Sequence, residues 1–110
     1  MFWRRERQAA APSGDITAAG LQAALAKKDP PFVLDVRESF EWSRGHISGA
    51  THIPLGQLSG RIHKLPKDRT IVTICRSGHR SAHAATLLRS HGFTVQNLRG
   101  GYLRWSGPLV

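Results

Sequence analysis

Three short runs rich in β-forming apolar residues, FVLDV at 32–36, TIVTI at 70–74 and FTVQNL at 93–98, punctuate the chain, and helical periodicity fills the stretches between them. The first two are apolar at nearly every position, so they leave no polar face to turn to water. A sheet built from such runs must be covered on both sides, and the intervening helices are what covers it. The pattern predicts an α/β domain: a small, mostly parallel β-sheet flanked by helices on both faces.

The helices have their own signals. Thr17 suits an N-cap, AAGLQAALAKK places Leu21 and Leu25 four apart on one face, and the prolines of DPP stop it. ESFEWSRG predicts a short helical turn, HISGATHIPL an irregular loop, and GQLSGRIHKL a helix with Leu58, Ile62 and Leu65 inward. RSAHAATLLRSHG carries Ala84, Ala85 and Leu88 on one stripe, with Gly92 as the left-handed residue that ends it. GGYLRWSGPLV reads as a closing turn of helix and a tail.

A chain of 110 residues holds one core. Residues 1–14, where Phe2 and Trp3 stand among Arg4, Arg5 and Arg7, read as a flexible N-terminal tail, and 15–110 as the folded domain. No apolar run approaches the length of a membrane span, and the opening segment lacks the apolar core of a secretory signal, so the expected address is cytoplasmic. Sixteen Lys and Arg against seven Asp and Glu give a net charge of +9, which favours anionic partners. The basic residues are scattered with no aromatic series between them, so the balance describes a solvated basic surface and not a nucleic-acid site.

The lone cysteine, Cys75, stands where TIVTI ends and a helix begins, and ligand sites of parallel sheets lie at such carboxyl ends. With no second cysteine there is neither a disulfide nor a CxxC pair. Arg76, Ser77, Gly78, His79 and Arg80 follow it, a turn tight enough to aim several backbone N–H groups inward, with the positive end of a helix starting near Ser81. Inward donors, helix terminus and the guanidiniums of Arg76 and Arg80 all favour thiolate over thiol, so the turn predicts a lowered Cys75 pKa and a nucleophile. A cysteine that merely packs has no use for so polar a neighbourhood.

LDVRESFEWSRGHISGATHIPL, IVTICRSGHRSAHAATLL and LRGGYLRW resemble, in this order and at suitable spacing, the successive motifs of the rhodanese-like sulfurtransferases, a match running from about Thr17 to Trp105. The resemblance implies the rhodanese-like fold and a ping-pong reaction in which a cysteine takes sulfane sulfur from thiosulfate or a persulfide donor, holds it as a persulfide, and passes it to cyanide or a thiol. It makes Cys75 the catalytic residue and lines the substrate pocket with Arg76, Ser77, Gly78, His79, Arg80 and Ser81, Arg80 bracing loop and anion. Asp35 and Arg37 become a supporting pair, mostly as a structural ion pair or strand-end cap; His46 and His52 scaffold; Gly100 and Gly101 a tight turn; Trp105 a packing residue. No metal or organic cofactor is implied. The partners implied are a small anionic sulfur donor and a thiol or cyanide acceptor, with a protein partner for sulfur relay admitted. Arg76 and His79 are positions that vary in the family and tune substrate choice.

Three other readings compete. His79 and His83, four apart, fall short of a closed metal set even with Cys75. A cysteine-dependent phosphatase needs five residues between cysteine and arginine, whereas four separate Cys75 from Arg80. A non-enzymatic interaction module shares the fold, though the intact Cys75 loop argues against it, and a persulfide carrier acting with a partner protein shares the first half-reaction too and differs from an enzyme in turnover alone.

Overall fold

A computed structural model describes residues 14–110 of the chain; the tail expected at 1–14 lies outside the described residues except for Gly14. The elements are β1 (Gly14–Ile16), α1 (Ala18–Leu25), β2 (Phe32–Asp35), α2 (Ser39–Trp42), β3 (Thr51–His52), α3 (Leu55–Leu58), β4 (Ile71–Ile74), α4 (His79–Ser90) and β5 (Val95–Leu98). Two 3₁₀ turns complete them, at Ser59–Lys64 and Gly101–Arg104. The five strands form one sheet in the order β1-β5-β4-β2-β3, and every pairing is parallel.

Alternation along the central strands splits the core into two layers. Leu34, Ile71, Cys75 and Val95 face Leu58, Ala84, Ala85 and Leu88, so α3 and α4 cover one side. Val33, Val72, Ile74 and Leu98 face Leu21, and with it α1 and the closing turn. Thr17 caps α1 as expected, its hydroxyl oxygen accepting from the Gly20 N–H at 3.0 Å.

The sequence reading and the structure differ at element ends. GQLSGRIHKL is not one helix: α3 ends at Leu58 and a 3₁₀ turn follows, since Gly56 and Gly60 give the segment little helical preference. FTVQNL contributes β5 only from Val95, because the Phe93 N–H still bonds the Leu88 carbonyl of α4. β1 and β3 lie in stretches without an apolar run; both are sheet edges, held by backbone pairing. The helix expected to start near Ser81 starts at His79, because Gly78, at φ +103°, turns the chain directly into it.

Candidate active site

Cys75 follows β4 immediately, and the strand's alternation turns its side chain to the α4 face. The residue is fully buried. Three donors converge on Sγ: the Gly78 N–H at 3.1 Å, the Ser81 N–H at 3.4 Å and the Ser81 hydroxyl at 3.3 Å. Helices leave their first N–H groups unpaired and usually cap them with a Ser, Thr or Asp oxygen. α4 has no side-chain cap at Gly78, and the sulfur takes that acceptor's place. Burial pushes the Cys75 thiol up, but the Ser81 hydroxyl and the N–H groups of Ser81, Gly78 and Ser77 outweigh it, so it ionises below its ordinary value.

The loop is anchored from outside through its carbonyls. A peptide's N–H and C=O face opposite ways, so holding the Arg76 carbonyl turns the Ser77 N–H, one of the groups that favour the Cys75 thiolate, toward the sulfur. The Cys75 carbonyl accepts from the Tyr102 N–H at 2.9 Å, that of Arg76 from the Leu103 N–H at 3.0 Å, and that of Gly78 from Asn97 Nδ2 at 3.1 Å. Thr73 Oγ1 donates to the Ser81 carbonyl at 3.0 Å. Gly101, at φ +59°, lets the closing turn come this close; a Cβ there would strike the Cys75 carbonyl. Thr73, Asn97 and Tyr102 were not singled out from the sequence. The available signal was polarity: Thr73 and Asn97 are buried polar residues in apolar strands.

The remaining loop residues divide by exposure. Arg76, Ser77 and His79 face solvent, with Ser77 Oγ 3.2 Å from His79 Nδ1, whereas Gly78 and Ser81 are buried. Arg80 gives its two terminal nitrogens to Glu41, at 2.6 and 2.9 Å, and so ties the start of α4 to α2. Those bonds draw the Glu41 carboxyl down to about 2, against the opposing pull of its partial burial, and the same partner raises Arg80.

Asp35 and Arg37 lie at the end of β2 as a buried pair. Arg37 bonds both Asp35 oxygens through Nε at 3.1 Å, and Nη2 adds 2.8 Å bonds to Asp35 Oδ2 and the Gly45 carbonyl. The Tyr102 hydroxyl donates to Asp35 Oδ2 at 2.9 Å and accepts from the Ile47 N–H at 3.1 Å, while the Arg37 guanidinium covers its ring at 3.9 Å. Burial, and beside it the Asp35 charge, hold the Tyr102 phenol above its ordinary value. The pair is joined to the cysteine loop through Tyr102, whose hydroxyl holds Asp35 and whose N–H holds the Cys75 carbonyl.

His46 and His52 sandwich Trp42, with ring centroids at 3.4 and 4.8 Å, and each ring nitrogen facing the chain lies within hydrogen-bond reach of a backbone carbonyl. Trp105 packs on the α1 side of the core. His79 and His83 both face solvent, and among the described residues no three His, Cys, Asp or Glu gather as a metal set.

Chemically, the arrangement is an anion cradle closed around one sulfur. Its fixed donors favour a thiolate over a thiol at that sulfur.

The family model described as the rhodanese-like domain matches residues 17–108. The chain is 36% identical over 93 residues to a sulfurtransferase of Allochromatium vinosum, covering 84% of this chain and 87% of that protein. It is 32% identical over 85 residues to the thiosulfate sulfurtransferase GlpE of Stutzerimonas stutzeri, covering 76% and 78%. Among solved structures, a rhodanese-related protein of Thermoplasma volcanium superposes with a TM-score of 0.82 at 34% identity, over 87% of this chain and 96% of that one.

Proposed function

Because the chain belongs to the rhodanese-like sulfurtransferase family, we propose that it moves sulfane sulfur from thiosulfate or a persulfide donor, through a persulfide on Cys75, to cyanide or a thiol. The observation that carries this reading is the convergence of three donors, at 3.1 to 3.4 Å, on the sulfur of the chain's single cysteine. In the first half-reaction the Cys75 thiolate attacks the outer sulfur of thiosulfate. The new S–S bond takes the thiolate's electron pair, the old one breaks, and sulfite leaves with its electrons. In the second half, cyanide or a thiolate attacks the outer persulfide sulfur, carries it away as thiocyanate or a new persulfide, and returns Cys75 as thiolate. No proton, metal or redox partner is needed for either balance.

The residues share the work in this reading. Gly78 and Ser81 hold the attacking thiolate, the loop's remaining N–H groups receive the outer sulfur of the persulfide, and exposed Arg76 draws the donor and the departing sulfite by charge. Asp35 and Arg37 support the loop from behind, and Arg80 braces it through Glu41. A chain that works through a free thiolate suits a reducing compartment, so its place is the cytoplasm.

Intact-mass measurement without reductant tests the proposal. After thiosulfate the wild type gains the mass of one sulfur, Cys75→Ser gains nothing, and cyanide removes the gain as thiocyanate. A wild type that titrates one accessible thiol yet never gains sulfur would overturn the thiosulfate reading. A persulfide that forms but does not turn over with small thiols would favour a carrier discharged by a partner protein.

A further inference from the structure

A cleft of about 440 Å³ opens between α2 and the closing turn, beside the Cys75 loop. Four of its charged residues line its wall, and they differ in what they have left to offer. Arg37 is neutralised by Asp35, and Glu41 by Arg80. Arg44 and Arg76 are exposed, and among the described residues neither lies within ion-pair distance of a carboxylate. The cleft therefore carries two uncompensated positive charges.

It also carries apolar surface. Among the described residues the large hydrophobic side chains left in water are Phe40 and Leu103, 63% and 62% exposed, and two more at the C-terminus. Phe40 and Leu103 both line this cleft. Neither is needed for thiosulfate or cyanide, which have nothing apolar to set against them. Exposed apolar residues gathered beside unpaired charge are the composition of a protein contact: apolar contacts give affinity, and charges steer and select.

We propose that this cleft docks an acidic, apolar-tipped segment of a partner protein that brings a sulfur-donating or sulfur-accepting group to Cys75. Arg44 and Arg76 pair with its carboxylates, and Phe40 and Leu103 bury its apolar side chain. The proposal rests on Cys75 as the sulfur carrier and adds the class of its macromolecular partner.

Chloroacetyl peptides test it without any sulfur transfer, since the Cys75 thiolate simply displaces chloride to form a thioether. The probes are chloroacetyl-Asp-Leu-Glu-amide, its Lys-Leu-Lys counterpart and an Asp-Gly-Glu version, with labelling followed by intact mass at low salt. The acidic leucine peptide is expected to label about tenfold faster than the basic one and about threefold faster than the glycine one. Arg44→Glu should abolish or invert the charge preference, and Leu103→Ser should abolish the leucine preference. A charge preference that survives Arg44→Glu, or equal rates for the leucine and glycine peptides, would overturn the docking surface. So would an Arg44-dependent advantage of the same size for free chloroacetate over chloroacetamide, which would make the occupant a small anion. Because labelling needs only the thiol, these outcomes are independent of whether thiosulfate loads Cys75.

Discussion

At the scale of single residues, the site depends on how many donors reach one sulfur. Ser81 supplies two of them, through its N–H and its hydroxyl. Ser81→Ala keeps the first and removes the second, leaving the thiolate less well held against burial. The thiol pKa should therefore rise, and iodoacetamide labelling at neutral pH should slow by about tenfold, taking a hydrogen bond to a charged group as about 1.5 kcal/mol. A pH–rate profile for alkylation that superposes on the wild type would show that the hydroxyl does not act on the anion. Glu41 is the other residue whose environment can be read as a pH dependence. Its carboxyl falls from the usual 4.5 to about 2 in the fold, so its stabilising effect is complete above the usual value and disappears as pH drops through about 2. Solvent screens this partly exposed pair, so Glu41→Gln should cost only about 1 kcal/mol at neutral pH. Denaturant titrations of the two proteins should converge near pH 2; a constant gap down to that pH would deny the ion pair that role.

Between elements, the closing 3₁₀ turn acts as a clamp on the cysteine loop. Two of its N–H groups hold the Cys75 and Arg76 carbonyls, and Gly101 is the residue without which it could not sit there. Gly101→Ala combines a left-handed φ with a collision against backbone that cannot swing aside. It should cost about 2 kcal/mol or more in denaturant unfolding. It should also raise the Cys75 thiol pKa read from a labelling pH–rate profile, because a loosened Arg76 carbonyl releases the Ser77 N–H that favours the thiolate. Unchanged labelling in a destabilised variant would sever that link. The glycines and the closing turn were legible as motifs, but their partner was not: hydrogen bonds from Tyr102 to Cys75 and from Asn97 to Gly78 span 27 and 19 positions of the chain, and periodicity carries no information about such pairs. The same holds for β1 and β3, edge strands that pair with β5 and β2 and whose side chains follow no apolar pattern.

For the molecule as a whole, the net charge of +9 suits the anionic donor proposed for Cys75. Turnover with thiosulfate should fall several-fold as ionic strength rises from about 0.01 to 0.2 M, over which the screening length shrinks from about 30 Å to under 10 Å. A kcat/KM that is flat across that range would confine the effective charge to the cradle itself.

What the chain determined by itself was local. Buried strands announce themselves by uninterrupted apolar residues, helices by period and caps, and the cysteine's setting by its own neighbours, so the two-sided α/β sheet and the cysteine loop at the end of β4 were legible before any coordinate. Tertiary structure alone decided what each polar group does. Arg80 adjoins the cysteine loop in sequence but reaches across to Glu41 on α2, and Tyr102, from the last turn, joins the Asp35 carboxylate to the Cys75 carbonyl. The physical reason is range: burial and periodicity act on neighbouring residues, whereas a hydrogen bond or ion pair needs two groups within about 3 Å, and only the folded chain brings them that close.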